Sequence, residues 1–314
     1  MPTREEIAAG ALLGTFAGDA LGARWEGSRP APDRASRDRL QRSEDDAELV
    51  YTDDTQLTLA LAEHLCDAPH VDAERLAATF LAHYQPWRGY GAGMHGIIQE
   101  WRKGTSVEDA ATAIFPSGSF GNGAAMRVAP VGVLWADHPD TLEAVARRQA
   151  GVTHVHTLGI DGAVVQARAV GLAAGRGRFG GAELAELAGV ASSDELRTGV
   201  EAAAELVDGW SADDDLEFAD VAKRLGNTVT AQRSVPAALW AAATADGLRD
   251  GVELALGLGG DADTIAAMAG AVLGAAGGLQ AIPPAWLRRL EDGERGRSYA
   301  LTLAGRLAAV TPSV

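Results

Sequence analysis

Cysteine is almost absent from this 314-residue chain. The single Cys66 excludes an internal disulfide framework and any multi-cysteine zinc site, and its neighbours Leu57, Leu61 and Leu65 suggest a small core residue. Basic charge is also scarce, with 27 Lys and Arg against 43 Asp and Glu and a formal charge of −16. That balance excludes broad electrostatic capture of a nucleic-acid polymer or an anionic membrane, since both need clustered Lys and Arg. It leaves room for a small anionic ligand held through a metal. Long apolar runs are missing too. The opening MPTREEIAAG has no apolar stretch behind a basic segment, so no secretory signal is expected. The most apolar stretch, Ile265 to Leu279, is mostly Ala and Gly and falls short of the roughly 20 residues a membrane span needs. A soluble, cytoplasmic, reduced protein is expected. Tandem repeats of the solenoid kind are absent as well.

What the chain has in abundance is alanine, 63 residues or about a fifth of its length, while the period-2 alternation of strands is nearly missing. Helical spacing recurs instead, as in Leu57, Leu61 and Leu65 or Ile265, Met268 and Val272. The expected fold is all-α. Two segments carry glycine ladders at intervals of four: Gly10, Gly14, Gly18 and Gly22, then Ala266, Gly270, Gly274 and Gly278. Each interior glycine costs about 1 kcal/mol of helix propensity, so something must offset it, and close helix–helix approach is the usual reason. Because the ladders lie near opposite ends of the chain, their pairing argues for one domain over residues 1–314. Residues 28–48 are rich in Pro, Arg and Asp and read as a solvated, mobile loop beginning near Glu26. Residues 175–181 read as a connection, and 211–215 as an acidic helix start.

Several clusters can carry chemistry. Thr52-Asp53-Asp54-Thr55 precedes the Leu57 helix; one such residue suffices for a cap, whereas adjacent carboxylates flanked by threonines offer several oxygen ligands to a hard cation. Gly259-Gly260-Asp261-Ala262-Asp263-Thr264 repeats the theme ahead of the second laddered helix. Four carboxylates brought together would repel unless cations balance them, and oxygen-only ligation favours Mg²⁺ or Mn²⁺ over zinc. Asp19 sits in the first glycine-rich helix. Glu26, at the edge of the loop, is a candidate gate or acid/base group, with a solvated surface glutamate as the plain alternative. The run Gly118-Ser119-Phe120-Gly121-Asn122-Gly123 can offer backbone N–H groups to a diphosphate, although no P-loop lysine follows. Arg127 reads as a structural ion-pair partner. In Thr153-His154-Val155-His156 no third nitrogen or sulfur ligand stands nearby, so His154 is assigned to a polar ligand contact or cap and His156 to structure.

Taken together, GDALGARWE (18–26), YTDDT (51–55), GNGAAMR (121–127), THVHTLGIDGA (153–163) and GGDADTIAAMAGA (259–271) resemble the ADP-ribosylglycohydrolase family. RGYGAG (88–93) and GSFGNG (118–123) look most like its branch that removes ADP-ribose from serine and cleaves O-acetyl-ADP-ribose. The resemblance implies a compact, single-domain orthogonal helical bundle, expected as a monomer, with two Mg²⁺ (or Mn²⁺) held by Thr52, Asp53, Asp54, Asp261, Asp263 and Thr264. Glu26 would match a mobile glutamate over the metals. Asp19, Gly118, Ser119, Phe120, Gly121, Asn122 and His154 would contact the ligand. Phe120 stands where a tyrosine is common, and a second aromatic position around adenine falls near Ile114 or Phe115. The implied partner is an ADP-ribosylated protein or O-acetyl-ADP-ribose, with Asp261 orienting or deprotonating the attacking water and Glu26 assisting the leaving group or gating entry. An ADP-ribosyl-arginine hydrolase, a non-catalytic ADP-ribose binder and a generic Mg²⁺ phosphoesterase are the competing readings.

Overall fold

The computed structural model describes residues 1–32, 47–208 and 217–312. Most of the loop expected at 28–48, and the acidic helix start expected at 211–215, lie outside the described residues. Among those described, the chain forms 17 α-helices and two short 3-10 turns, with isolated bridges in place of strands. The expected all-α class holds, and one contiguous apolar core draws residues from Ala8 to Leu307. No helix among the described residues is long and apolar enough to cross a membrane.

Two antiparallel helices form the axis of this core, the N-terminal helix Arg4–Gly22 and the late helix Ala262–Gly277. The first starts on a capping box in which the Thr3 hydroxyl accepts from the Glu6 N–H while the Glu6 carboxylate accepts from the Thr3 N–H. From Ala8 onward every residue of that helix is buried, and so is the late helix from Ala262 to Ala276. A helix buried on all sides has no polar face to orient it, so side-chain size sets the packing. A Cβ on Gly10 would overlap the Gly274 carbonyl, one on Gly14 the Gly270 carbonyl, one on Gly18 the Ala266 carbonyl, and one on Gly22 the backbone of Asp263. The two backbones therefore touch through the expected ladder. In that register the C-terminal end of the first helix lies against the N-terminal end of the second, and Asp19 comes to the level of Asp261 and Asp263.

The other helices wrap this pair. Helix Asp53–Asp67 packs on the first axial helix, and helices Thr157–Arg176 and Ala231–Thr244 pack on the second. Cys66 is partly buried in this shell, and burial pushes its thiol up to about 11, so it is protonated and inert at neutral pH.

A prediction separates close approach from propensity. Gly14→Ala must displace rigid backbone, and overpacking of this kind costs on the order of 1–3 kcal/mol or more, against a propensity gain of about 1 kcal/mol. Gly175, also helical, has open space where a Cβ would go. Urea unfolding should show net destabilisation for Gly14→Ala and slight stabilisation for Gly175→Ala. Equal effects at both sites would remove the ladder's packing role.

Candidate functional site

The axial pair presents Asp261 and Asp263, and the turn ahead of helix Asp53–Asp67 presents Asp53 and Asp54. Asp19 joins the two. Its carboxylate is fully buried and accepts from the Thr52 N–H (3.0 Å) and hydroxyl (2.8 Å) and from the Thr55 N–H (3.0 Å) and hydroxyl (2.5 Å). An acidic group from one helix thus caps the N-terminus of another, where free N–H groups and the helix dipole favour negative charge. The Asp53 N–H is bonded to the Arg88 carbonyl (2.7 Å), and the Arg88 guanidinium lies 3.7 Å above the Tyr51 ring while pairing with Glu291. Both ends of the Tyr51–Thr55 turn are therefore fixed.

The Gly259-Gly260 pair lets the second acidic turn close. Both residues have positive φ, at 62° and 68°, and a Cβ on Gly259 would stand 2.6 Å from the Ser28 carbonyl. Gly27 donates to the Gly260 carbonyl (2.7 Å), and the Gly260 N–H donates to Ser28 (2.9 Å). This antiparallel bridge ties the backbone just after Glu26 to Gly260, the residue before Asp261. Thr264 links the two acidic turns, its hydroxyl lying 3.4 Å from Asp54 Oδ2 and its N–H donating to Asp263 Oδ1 (2.9 Å).

Burial, followed by mutual repulsion, holds these carboxyls above their ordinary range. Asp53 and Asp54 are pushed well up by desolvation and then by the charges of Asp19 and Asp263. Asp263 rises to about 8 through burial and then Asp261. Asp261 rises to about 6, mainly through burial, opposed by the Asn122 side-chain amide that donates to it at 2.6 Å. Asp54 Oδ1 is buried and has no hydrogen-bond partner. No three His, Cys, Asp or Glu side chains among the described residues converge closely enough to ligate one ion by themselves. Mutual repulsion opposes such convergence when no cation offsets it. The donor set is nonetheless all oxygen, no Lys or Arg pairs with it among the described residues, and Asp54 Oδ1 lacks a partner, which fits hard divalent cations completed by hydroxyls and water.

A cavity of about 330 Å³ opens over these groups. Its acidic end is Glu26, Asp53, Asp54, Asp261, Asp263 and Thr264; its other end is Ser119, Gly121, Asn122, Arg127 and His154. Asn122 spans the two ends, because its N–H is held by the Val229 carbonyl (2.9 Å) while its amide reaches Asp261. Gly118, at φ 81°, allows the loop to turn tightly against His156.

Most of the expected site residues therefore line one cavity, and four do not. Thr52 stands just behind it as the cap of helix Asp53–Asp67. Gly118 shapes the loop from outside. Asp19, expected as a ligand contact, is instead an internal cap, because its carboxylate is already committed to Thr52 and Thr55. Phe120 is 47% exposed and meets His156 edge-on, 5.6 Å between ring centres, while Phe115 lines the cavity against Gly93. Arg127, expected to pair with an acid, has no carboxylate partner among the described residues; it bonds to Gln149 and Thr153 and stacks on Phe80 at 4.7 Å. His156 is structural as expected, its Nδ1 accepting from the Leu158 N–H. The wall from Gly89 to Ile97 went unassigned by sequence. RGYGAG was its only signal.

A family model described as ADP-ribosylglycohydrolase matches residues 1–313. The chain is 32% identical to "ADP-ribosylhydrolase ARH3" of Mus musculus, covering 94% of this chain and 90% of that protein. It is 28% identical to the "ADP-ribosyl-[dinitrogen reductase] glycohydrolase" of Rhodospirillum rubrum, covering 92% of each. A solved structure titled "ADP-ribosylglycohydrolase-related protein complex" superposes with a TM-score of 0.70 at 29% identity, covering 98% of this chain and 99% of that one.

The raised carboxyl pKa values carry a signed prediction. The folded state holds protons that the unfolded chain releases near pH 4, so this contribution to stability is full at low pH. It is lost as pH rises toward about 8 for Asp263. In chelator, the thermal midpoint should fall between about pH 6 and pH 8, fall less in Asp263→Asn, and be raised most by Mg²⁺ at the high-pH end. A midpoint indifferent to pH, mutation and Mg²⁺ would contradict this electrostatic picture.

Proposed function

The chain belongs to the ADP-ribosylglycohydrolase family, and from that premise we propose a Mg²⁺-dependent hydrolase that cleaves the ribose C1 linkage and releases ADP-ribose. Serine-linked ADP-ribose and O-acetyl-ADP-ribose are the favoured substrates. The observation that carries this reading is the two-ended cavity, in which buried carboxylates face a glycine loop backed by Arg127 and His154. Such a cavity matches a ligand with a sugar diol at one end and an anionic diphosphate beyond it.

Thr52, Asp53, Asp54, Asp261, Asp263 and Thr264 would hold two Mg²⁺ or Mn²⁺, which when bound engage vicinal ribose hydroxyls and acidify water. Asp261 serves as the base. It lines the cavity beside the other carboxylates, within reach of a water placed there. The Asn122 amide donates to its Oδ2 and orients the carboxylate for that task. Positive charge developing at the anomeric carbon is offset by the surrounding carboxylates. Glu26 lines the cavity just before the backbone that Gly27 and Ser28 tie to Gly260, a place from which it assists the leaving oxygen or gates entry. The Ser119–Gly123 loop and His154 hold the diphosphate and its sugar, and the Phe115 wall takes the base.

The test is product identification with serine-linked, arginine-linked and O-acetyl-linked ADP-ribose in Mg²⁺. Free ADP-ribose from the serine or O-acetyl substrate is expected, with Asp261→Asn losing on the order of 10²-fold or more in kcat. Arginine-only turnover would move the assignment to the ADP-ribosyl-arginine reading, release of AMP or phosphate to a phosphoesterase, and tight ADP-ribose binding without turnover to a binder. Near-normal turnover by Asp261→Asn would remove the base assignment.

A further inference from the structure

The cavity's basic wall contains a hydrogen-bond chain whose direction follows from counting protons. The Gln149 side-chain amide donates to the Ala124 carbonyl (2.9 Å), which turns its oxygen toward Arg127. Arg127 donates through Nε to that oxygen (2.8 Å) and through Nη2 to the Gln149 carbonyl (2.9 Å) and the Thr153 hydroxyl oxygen (2.9 Å). Guanidinium nitrogens only donate, so Thr153 Oγ1 is an acceptor in that contact. The other partner of this fully buried hydroxyl is His154 Nδ1 at 2.7 Å. If Nδ1 carried a proton, Thr153 would accept twice and its own O–H would be left buried without an acceptor, a costly arrangement. The arrangement that satisfies every group has Thr153 donating to a bare Nδ1.

We propose that Arg127 and Thr153 are positioning residues that lock His154 as a neutral imidazole with its proton on Nε2, a fixed donor to a phosphate oxygen of the bound ligand. Its direction suits that task. A Cβ on Gly123 would stand 3.3 Å from His154 Nε2, and one on Gly121 3.5 Å, so Nε2 faces the glycine turn that lines the same cavity. Burial, and then the nearby Arg127 charge, push the imidazole down to about 3, so the neutral form persists through the physiological range. The phosphate part of the proposal rests on the ADP-ribose reading above; the tautomer does not.

Nitrogen-15 histidine correlation spectra of the full chain, with His154 assigned through His154→Gln, read the tautomer directly. The wild type should show a protonated Nε2 and a bare Nδ1, unchanged between about pH 5.5 and 8. Thr153→Val should lose that single tautomer and weaken ADP-ribose binding on the order of tenfold, and Thr153→Ser should restore both. A protonated Nδ1 in the wild type, or a Thr153→Val protein with unchanged tautomer and affinity, would overturn the proposal. The wild-type spectrum decides the tautomer even if Thr153→Val does not fold. Wild-type protein that has the expected tautomer but no affinity for ADP-ribose would sink the phosphate role and the function proposed above, and leave the positioning claim standing.

Discussion

Everything in this molecule depends on two backbones touching. Helices Arg4–Gly22 and Ala262–Gly277 meet carbonyl to glycine along their length, and neither can slide without driving a Cβ or a carbonyl into the other. That contact fixes both the antiparallel direction and the register. Asp19 is thereby set beside the turn bearing Asp261 and Asp263, and it holds Thr52 and Thr55 by hydrogen bonds to its carboxylate. A packing constraint made of glycines thus gathers two acidic turns that are remote in sequence. Helix propensity is sacrificed along the ladder, and the return is positional accuracy at the cavity.

The second consequence is electrostatic. Burying several carboxylates together raises all of them, and the protein counters this with few direct charge pairs. Asn122 donates to Asp261, threonines donate to Asp19, and Arg127, the one fully buried guanidinium among the described residues, is spent on Gln149 and Thr153 at the far end of the cavity. The site is left polarised, acidic at one end and cationic at the other. The chain's acidity is therefore not a uniform shield against anions. Under the proposed function, an anionic ligand would be met there by the Arg127 charge and by N–H donors of His154 and the glycine loop.

Much of this was legible in sequence because it is written in local patterns. The four-residue glycine spacing, the Thr-Asp-Asp-Thr turn and the Gly-Gly-Asp-x-Asp-Thr turn each state their geometry within a few residues. What sequence left open lies in contacts between segments. Asp19 reads like any acid beside a site, and only tertiary packing reveals that Thr52 and Thr55 take up its oxygens. Arg127 invites an acidic partner, yet the structure gives it amide, hydroxyl and aromatic ones. Glu26 sits next to a loop of mobile composition, but the backbone just after it, at Gly27 and Ser28, is bridged to Gly260, because two positive-φ glycines create the turn that receives it. Phe120, within the glycine loop, meets His156 and leaves the cavity wall to Phe115.

That the glycine-paired helices assemble one site for two divalent ions is open to a direct experiment. Mn²⁺ titration followed by electron paramagnetic resonance tests it directly, since two ions in one site couple magnetically and isolated ions do not. Two Mn²⁺ per chain with a coupled spectrum are expected, with loss of both ions together in Asp53→Ala/Asp263→Ala and the helical circular dichroism retained. A single uncoupled ion, or no binding by the folded wild type, would contradict it.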